Sequence, residues 1–331
     1  MLKKIAAVTL ALLTLFTAAS PSFAASPSFA AGASSLDDAL DRAAAYVYEA
    51  AKEPRVGSVG GEWAVLGLAR SGRGAPASYY EAYDRAVGDY VREREGVLSG
   101  AKYTEYSRVI LGLTAAGRDP RNAAGRDLTA ALGDFDKTVK QGINGPVWAL
   151  IALDCADYPI PKNENAKTQA TRDMYIDEIL RRQLPDGGWS LTGKSSSSPD
   201  ITAMALQALA KYQDKKKVRA AADKAVLRLS KAQGADGGYS SPEEAAQAVV
   251  ALCELEISLE DPRFVKNGKT LLDNLLTYQN ADGSFSHSRG GSGKNQMTTE
   301  QALCALTAAK RAAGGQSGLY RMGAAAEGEN K

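Results

Sequence analysis

The feature that most constrains the fold of this chain is an apolar, small-residue segment that recurs six times. The copies span residues 60–72, 106–117, 145–156, 200–212, 243–255 and 298–310. Their corresponding leucines are Leu68, Leu113, Leu153, Leu209, Leu252 and Leu306. Consecutive leucines lie roughly 40 to 56 residues apart, a period typical of one helical hairpin per repeat.

Longer amphipathic stretches lie between these segments, at residues 36–52, 78–94, 171–183, 218–233 and 264–279. Their apolar residues are spaced three and four apart with charges on the opposite face, as in helices with one solvent-exposed face. Fully buried helices that alternate with helices exposed on one face predict an all-α fold with an inner ring of helices inside an outer ring. Ring closure is a further inference, because an open solenoid of hairpins would show the same periodicity.

A short motif follows three of the outer stretches and precedes an inner one. Its copies carry Gln183, Asp186 and Trp189; Gln233, Asp236 and Tyr239; and Gln279, Asp282 and Phe285. Asp-Gly is a turn signal, since Asp bonds nearby backbone and Gly accepts a positive φ. Each copy offers one carboxylate, whereas Ca²⁺ needs several oxygen ligands. We therefore interpret the motif as a structural fastener between hairpins and expect no metal and no cofactor.

Six hairpins that carry Gln-x-x-Asp-Gly-Gly-Trp resemble the (α/α)6 toroid of the terpenoid cyclase and protein prenyltransferase superfamily, with squalene-cyclase-type repeats. They are also similar to the α-domain of the vitamin B12 carriers intrinsic factor and transcobalamin. The runs at 199–206 and 295–303 resemble those of secreted bacterial toroid proteins. The likeness covers most of residues 36–312. It implies the fold but not the function, because unrelated chemistries share this scaffold.

The N-terminus predicts a secretory signal peptide over residues 1–30. Two lysines precede an apolar run from Ile5 to Ala19, and small-residue sites end at Ala24 and Ala30. We expect the toroid at 31–312 and a disordered Gly/Ala-rich tail at 313–331. The protein is then a secreted monomer without a membrane span, and attachment to the cell surface stays open.

The net charge of +2 comes from interspersed acids and bases, which gives no indication of nucleic acid as a partner. The cysteines are Cys155, Cys253 and Cys304, and an odd count excludes a disulfide framework. All three lie in apolar helical segments, where small buried side chains are expected. A bridge between Cys253 and Cys304 stays open.

The enzymes of this superfamily need residue sets that the chain lacks in part. In a type II terpene cyclase an Asp-x-Asp-Asp motif protonates an alkene, and alignment on Thr202 places Asp200 at the donor position. Ser198 and Ile201 stand where the flanking acids would be. Known cyclases of this class pair two such domains and line their cavity with aromatic rings, whereas we assign all three tryptophans here to packing.

The residue sets of three other enzyme classes are also incomplete. Asp154-Cys155 has the wrong spacing for the prenyltransferase zinc site, and the thioester run Gly-Cys-Gly-Glu-Gln is missing. A single histidine, His287, excludes a nucleophilic triad in practice.

A glycan-active (α/α)6 enzyme would need two carboxylates across the cavity mouth. Acids that fall at or just before the starts of inner helices are Glu62, Glu105, Asp200, Glu243, Glu244 and Glu300. Acids also favour helix N-termini on electrostatic grounds alone, so this pattern does not require catalysis.

Two loops point to a binding face. Repeats four and six are enlarged at 190–200 and 286–296, and insertions on one face of a repeat protein commonly mark its binding side. The likeness to the B12 carriers implies ligand contacts at Asp200, at Glu243 or Gln247, and at Gln296. Our full set of binding candidates is Asp200, Thr202, Glu243, Gln247, Gln296 and Glu300.

We therefore expect an exported, non-catalytic toroid that binds a ligand or a protein partner where its inner helices begin. The ligand is cobalamin-like or isoprenoid-like, and an extracellular protein would supply any lid domain. The alternatives are a glycan-active enzyme and a terpene-cyclase relative that uses Asp200 as its acid.

Overall fold

The computed structural model describes residues 35–193, 196–290 and 293–323, and the predicted signal peptide lies outside these ranges. The described residues form twelve α-helices and four short 3-10 helices, and their β pairing is limited to isolated bridges. The outer helices are α1 (Leu36–Ala50), α3 (Ala77–Glu93), α5 (Phe135–Val139), α7 (Arg172–Arg181), α9 (Lys216–Ala232) and α11 (Leu271–Leu276). The inner helices are α2 (Glu62–Ser71), α4 (Thr104–Ala115), α6 (Asn144–Asp154), α8 (Pro199–Leu209), α10 (Pro242–Glu254) and α12 (Gln296–Ala313).

The inner helices form a closed ring. Each of them packs against the inner helix before and after it, and α12 packs against α2. The closing contact is tight, since a Cβ on Gly67 of α2 would lie 2.8 Å from a methyl group of Leu303 on α12. The prediction of an all-α toroid is thus confirmed, and the open solenoid is excluded.

One outer segment is shorter than the pattern predicted, and another is a short helix that the pattern did not predict. The stretch 264–279 contains only α11, because Asn267 and Gly268 both adopt positive φ in a tight turn flanked by a bridge between Lys266 and Lys269. Asn-Gly is a strong hairpin-turn sequence, and here it outweighs the helical periodicity. The third hairpin has the five-residue α5 as its outer helix, preceded by a 3-10 helix at Leu128–Gly133.

The three Asp-Gly motifs each join the outer helix that they follow to the next outer segment around the ring. The Gln183 amide donates to the carbonyl of Ala221 on α9 at 2.8 Å, and the Gln233 amide donates to the carbonyl of Phe264 at 2.8 Å. Each Gln also donates to the carbonyl of its own motif's glycine, Gly187 or Gly237. One side chain therefore holds both its own turn and the following hairpin.

The glycine after each motif Asp is required by its backbone and by its neighbour. Gly187, Gly237 and Gly283 have φ of 92°, 84° and 89°. A Cβ on Gly283 would lie 2.2 Å from the Arg42 carbonyl of α1, and one on Gly237 would lie 2.6 Å from the Thr270 carbonyl. Because the turn approaches the next outer segment so closely, the Gln side chain can reach a backbone carbonyl of that segment.

The third motif closes the ring. Its Gln279 amide donates to the Ala39 carbonyl of α1 at 2.8 Å, and Arg42 of α1 donates back to the Gln279 side-chain oxygen at 2.8 Å. Helix α1 also packs on α12, so the first and last hairpins meet through backbone, side chain and helix faces.

The expectation of a disordered tail is wrong for the residues that follow α12 up to Gly323. This segment crosses the ends of the inner helices, where Leu319 is fully buried and Tyr320 is 7% exposed. Arg70 donates to the carbonyls of Gly318, Leu319 and Arg321, and so fixes three backbone groups of a glycine-containing coil. The remainder of the predicted tail, 324–331, lies outside the described residues.

The three thiols are free and buried, so the bridge left open between Cys253 and Cys304 does not form. None of the helices in the described ranges is long and apolar enough to span a membrane.

We predict that Gln279→Ala destabilises the toroid by about 1–3 kcal/mol, because the buried Ala39 carbonyl loses its donor. Urea denaturation followed by circular dichroism measures the free energy of unfolding. Gln316→Ala, at an exposed glutamine beyond α12, is the matched control and should change stability by less than about 0.5 kcal/mol. Equal stability of the two variants would show that the closing bond contributes nothing.

Candidate functional site

The ring encloses a cavity of about 690 Å³ that opens where the inner helices begin, an end we call the mouth. All six inner helices contribute lining residues. In α4, α6, α8, α10 and α12 these residues recur at helical spacing, so each helix presents one face to the cavity. The faces are Glu105 and Arg108; Asn144 and Trp148; Asp200 and Met204; Glu243, Gln247 and Val250; and Met297, Gln301 and Cys304.

One wall and the floor of the cavity are aromatic. The Trp63 and Trp148 rings lie 4.9 Å apart between centroids, and Tyr320 meets Trp148 edge-on at 6.3 Å. Tyr320 comes from the C-terminal segment and closes the end opposite the mouth. Trp63 and Trp148 were assigned to packing in the sequence, and the structure instead places both on the cavity wall.

Two acids lie at the mouth with different surroundings. Asp200, in the first turn of α8, lines the cavity, and its carboxylate has no hydrogen-bond or ion-pair partner among the described residues. Glu243 accepts a hydrogen bond from the Thr298 hydroxyl and another at 3.0 Å from His287 Nδ1.

The Glu243–His287 contact affects the charge of both groups. Burial opposes ionisation of Glu243, yet the hydrogen bonds from Thr298 and His287 outweigh it and hold the pKa of Glu243 below its usual value. The same bond to Glu243 raises the pKa of His287. The enlarged 286–296 loop thus places its histidine at the cavity entrance and keeps Glu243 ionised.

Glu62 and Glu300 form a buried acid pair beside the mouth, outside the cavity lining. Glu62 accepts from the Gly57 amide at 3.1 Å and Glu300 from the Gly60 amide at 2.9 Å, so the two carboxyls hold the loop before α2 from both sides. Both residues are 1% exposed. Burial raises the pKa of each to about 7, and the Arg108 guanidinium, 3.7 Å from Glu62, offsets only part of this effect.

Three of the six predicted binding residues do not line the cavity. Thr202 is 1% exposed and accepts the backbone N–H of Trp189, so it fixes the motif turn. Gln296 donates a hydrogen bond to Glu300, and Glu300 also accepts from the Gly60 amide of the loop before α2. Glu244, a candidate in the glycan-active reading, completes the capping box of α10 with Ser241.

Sequence reasoning missed Arg108 and Tyr320. Arg108 is the one charge in an otherwise apolar inner segment, and that pattern is a usable signal for a side chain that faces an internal cavity. Tyr320 follows Leu319 in a glycine-rich stretch, where composition hides an apolar pair. Across the described ranges no three His, Cys, Asp or Glu side chains are placed to hold a metal ion together.

No family model matches the sequence, and no curated protein matches it. Solved structures do match the fold. The type II terpene cyclase MstE from Scytonema, in complex with merosterolic acid A, aligns with a TM-score of 0.55 at 15% identity, over 84% of this chain and 97% of that chain. The ent-copalyl diphosphate synthase from Streptomyces platensis aligns at 0.51 and 21% identity, over 77% of this chain and 50% of that one. A protein from Actinoplanes aligns at 0.50 and 14% identity.

The chain folds as a terpene-cyclase-type α/α toroid. At these identities the likeness shows the fold alone. The likeness does remove the argument that a cyclase of this class needs two such domains. MstE is matched over 97% of its chain and is therefore a cyclase of about one toroid.

We predict that the protein loses stability as the pH rises from 5 to 8, because Glu62 and Glu300 are neutral in the fold and ionise freely when unfolded. Between the ordinary pKa of 4.5 and the raised value of about 7, the folded state binds more protons, so each step up in pH favours unfolding. The full loss is on the order of 2–3 kcal/mol for each group. Glu62→Gln and Glu300→Gln should each flatten the profile, as measured by urea denaturation at a series of pH values. Glu81→Gln on the exposed face of α3 is the control, and an unchanged slope in the first two variants would contradict the assignment.

Proposed function

We propose that this chain is a relative of the type II terpene cyclases that takes an isoprenoid into the central cavity of its toroid. The observation that carries the proposal is a cavity of about 690 Å³ whose inner end is formed by Trp63, Trp148 and Tyr320. Its size falls within the range of roughly 300–1,000 Å³ common for small-molecule sites. The signal peptide predicted at 1–30 would place this activity outside the cytoplasm.

The distribution of polarity favours an amphiphile that enters with its apolar end first. The mouth carries Asp200, Glu243 and His287, whereas the deeper part carries aromatic rings together with Met204 and Val250. A hydrocarbon chain gains free energy by leaving water for the deeper part. A polar head would remain near the hydrated mouth.

A second step, cyclisation, is favoured by the fold comparison and by the position of Asp200. When protonated, the carboxyl of Asp200 would donate its proton to one alkene carbon, and the π electrons would form the new C–H bond. The neighbouring carbon becomes a cation, which an internal double bond attacks. The cyclised cation then loses a proton to water, and the Asp200 carboxylate regains a proton from solvent. The faces of Trp63 and Trp148 would stabilise the cation by cation–π attraction.

Glu243 is less suited to this role, since its hydrogen bonds from Thr298 and His287 hold it in the ionised form. The same bonds weaken the glycan-active alternative, which needs one neutral and one charged carboxyl across an open groove.

We predict that geranylgeraniol and related isoprenoid alcohols bind the protein and change its tryptophan fluorescence. Two of its three tryptophans, Trp63 and Trp148, line the cavity, so the signal reports occupancy. Trp148→Ala should weaken binding about tenfold or more through lost contact area. Absence of binding by every isoprenoid tested would refute the proposal as a whole.

Incubation with isoprenoid substrates, followed by gas chromatography and mass spectrometry, separates binding from turnover. We predict a cyclised product whose formation is lost in Asp200→Asn while binding is kept. Asp223→Asn, on the exposed face of α9, should behave as the unaltered protein. Binding without any product would leave a carrier and overturn the catalytic step.

A further inference from the structure

Three glutamines form a continuous hydrogen-bonded row, and the last two of them line the cavity. They are Gln207 on α8, Gln247 on α10 and Gln301 on α12. The Gln207 amide nitrogen donates to Gln247 Oε1 at 2.9 Å, and the Gln247 amide nitrogen donates to Gln301 Oε1 at 3.1 Å. We call these residues the glutamine row. None of the motifs or loops identified in the sequence accounts for it.

A single backbone group sets the direction of the row. Gln207 Nε2 also lies 2.9 Å from the backbone carbonyl of Gln247, which can only accept. The NH2 of Gln207 must therefore face Gln247, and its side-chain oxygen faces the Tyr320 hydroxyl at 3.3 Å. The orientations of Gln247 and Gln301 then follow, because each NH2 group in the row must meet the side-chain oxygen of the next glutamine.

The row ends in an unused donor. Gln301 accepts with its oxygen, and its NH2 group makes no hydrogen bond to any described residue. Gln301 lines the cavity and is partly exposed to it. The row uses only the oxygen of Gln301, as the acceptor of the Gln247 NH2 group. Internal satisfaction of the row therefore explains that oxygen and does not explain the Gln301 NH2 group.

The position of Gln301 within its helix places this donor at mid-depth. Gln301 and Gln247 are each the sixth residue of their helices, and Arg108 on α4 is the fifth of its own. At about 1.5 Å per residue these side chains arise at nearly the same level below the mouth. Arg108, whose nearest described carboxylate is 3.7 Å away on Glu62, adds positive charge to that level.

We propose that the Gln301 NH2 group is the specificity-determining contact of the cavity and that it selects a ligand with an oxygen acceptor, such as a carbonyl or carboxylate. The inference rests on the proposed function, to which it adds the chemistry of the head group. The apolar tail lies against the aromatic floor, and the acceptor oxygen lies at the level of Gln301 and Arg108.

The test compares three ligands with the same geranylgeranyl tail by tryptophan fluorescence on the full chain. The methyl ester of the acid offers only acceptors, the primary ammonium offers only donors, and the hydrocarbon offers neither. The unaltered protein should bind the ester about five- to tenfold more tightly than the hydrocarbon, the worth of one hydrogen bond, and the ammonium most weakly. Gln301→Glu keeps an acceptor for the Gln247 NH2 group and removes the donor at 301, so it should remove the ester's advantage over the hydrocarbon.

Gln247→Glu provides an independent variant that does not alter Gln301. A carboxylate at 247 accepts from both neighbours, so Gln301 must turn its NH2 group toward it and present its oxygen to the cavity. Preference should then reverse to the ammonium over the ester, as it should in Gln301→Glu. Gln316→Glu on the exposed surface is the matched control and should keep the original order. An unchanged order in all variants would overturn the proposal.

Amide exchange measured by ¹⁵N–¹H NMR tests the direction of the row without a ligand, with Gln301→Leu used to assign the signal. The Gln301 NH2 protons should exchange at least about tenfold faster than those of Gln207 and Gln247. Equal protection would overturn the inference whatever binds. If none of the three ligands binds while Gln301 exchanges fast, the isoprenoid tail is wrong and the donor still stands.

Discussion

The hydrogen bond from the Gln279 amide to the Ala39 carbonyl joins the end of the chain's last outer helix to its first. The same kind of bond joins earlier neighbours at Gln183 and Gln233, but those hairpins are also adjacent in sequence. At the closing junction the two partners are far apart in the chain. The tight packing of Gly67 on Leu303 and the bond from Gln279 together convert a row of hairpins into a ring, and the ring creates the cavity.

The cavity is chemically divided because the inner helices are not equivalent. Helices α2 and α6 contribute Trp63 and Trp148, whereas α10 and α12 contribute the amide side chains of Gln247 and Gln301. An interior that is aromatic on one side and amide-bearing on the other can orient a ligand about the ring axis as well as along it. A uniformly apolar interior would fix only how deeply the ligand enters.

Much of the fold followed from local rules, and the errors have specific physical causes. The six hairpins and their turns were predictable because helical periodicity and Asp-Gly chemistry are local in sequence. The predicted helix at 264–279 failed because one Asn-Gly turn was decisive there. The disordered tail failed because composition gave no sign that Arg70, on a distant helix, would bind its carbonyls.

Half of the predicted site residues reach the cavity, and helix geometry explains the division. Successive residues on an α-helix turn by about 100°, so Asp200 faces inward while Thr202, two positions on, faces outward. In α12 the prediction chose Gln296 and Glu300, but the inward face starts one residue later, at Met297 and Gln301. Sequence periodicity identified the helix but did not determine its rotation about its own axis, so the predicted inward face was wrong by one residue.

The packing of α1 on α12 has a consequence for how the protein reaches its native state. The apolar face of α1, with Leu40, Ala43 and Val47 fully buried, packs on α2 and more extensively on α12, so its burial is completed only when the last helix of the toroid arrives. Contacts between such distant segments form late, since their loop entropy is lost before they contribute. The first hairpin therefore keeps an uncovered apolar surface throughout synthesis, when aggregation is a hazard. Unfolding can begin at this same junction between the first and last hairpins. The rate at which the ring unfolds therefore depends on the strength of the contacts there.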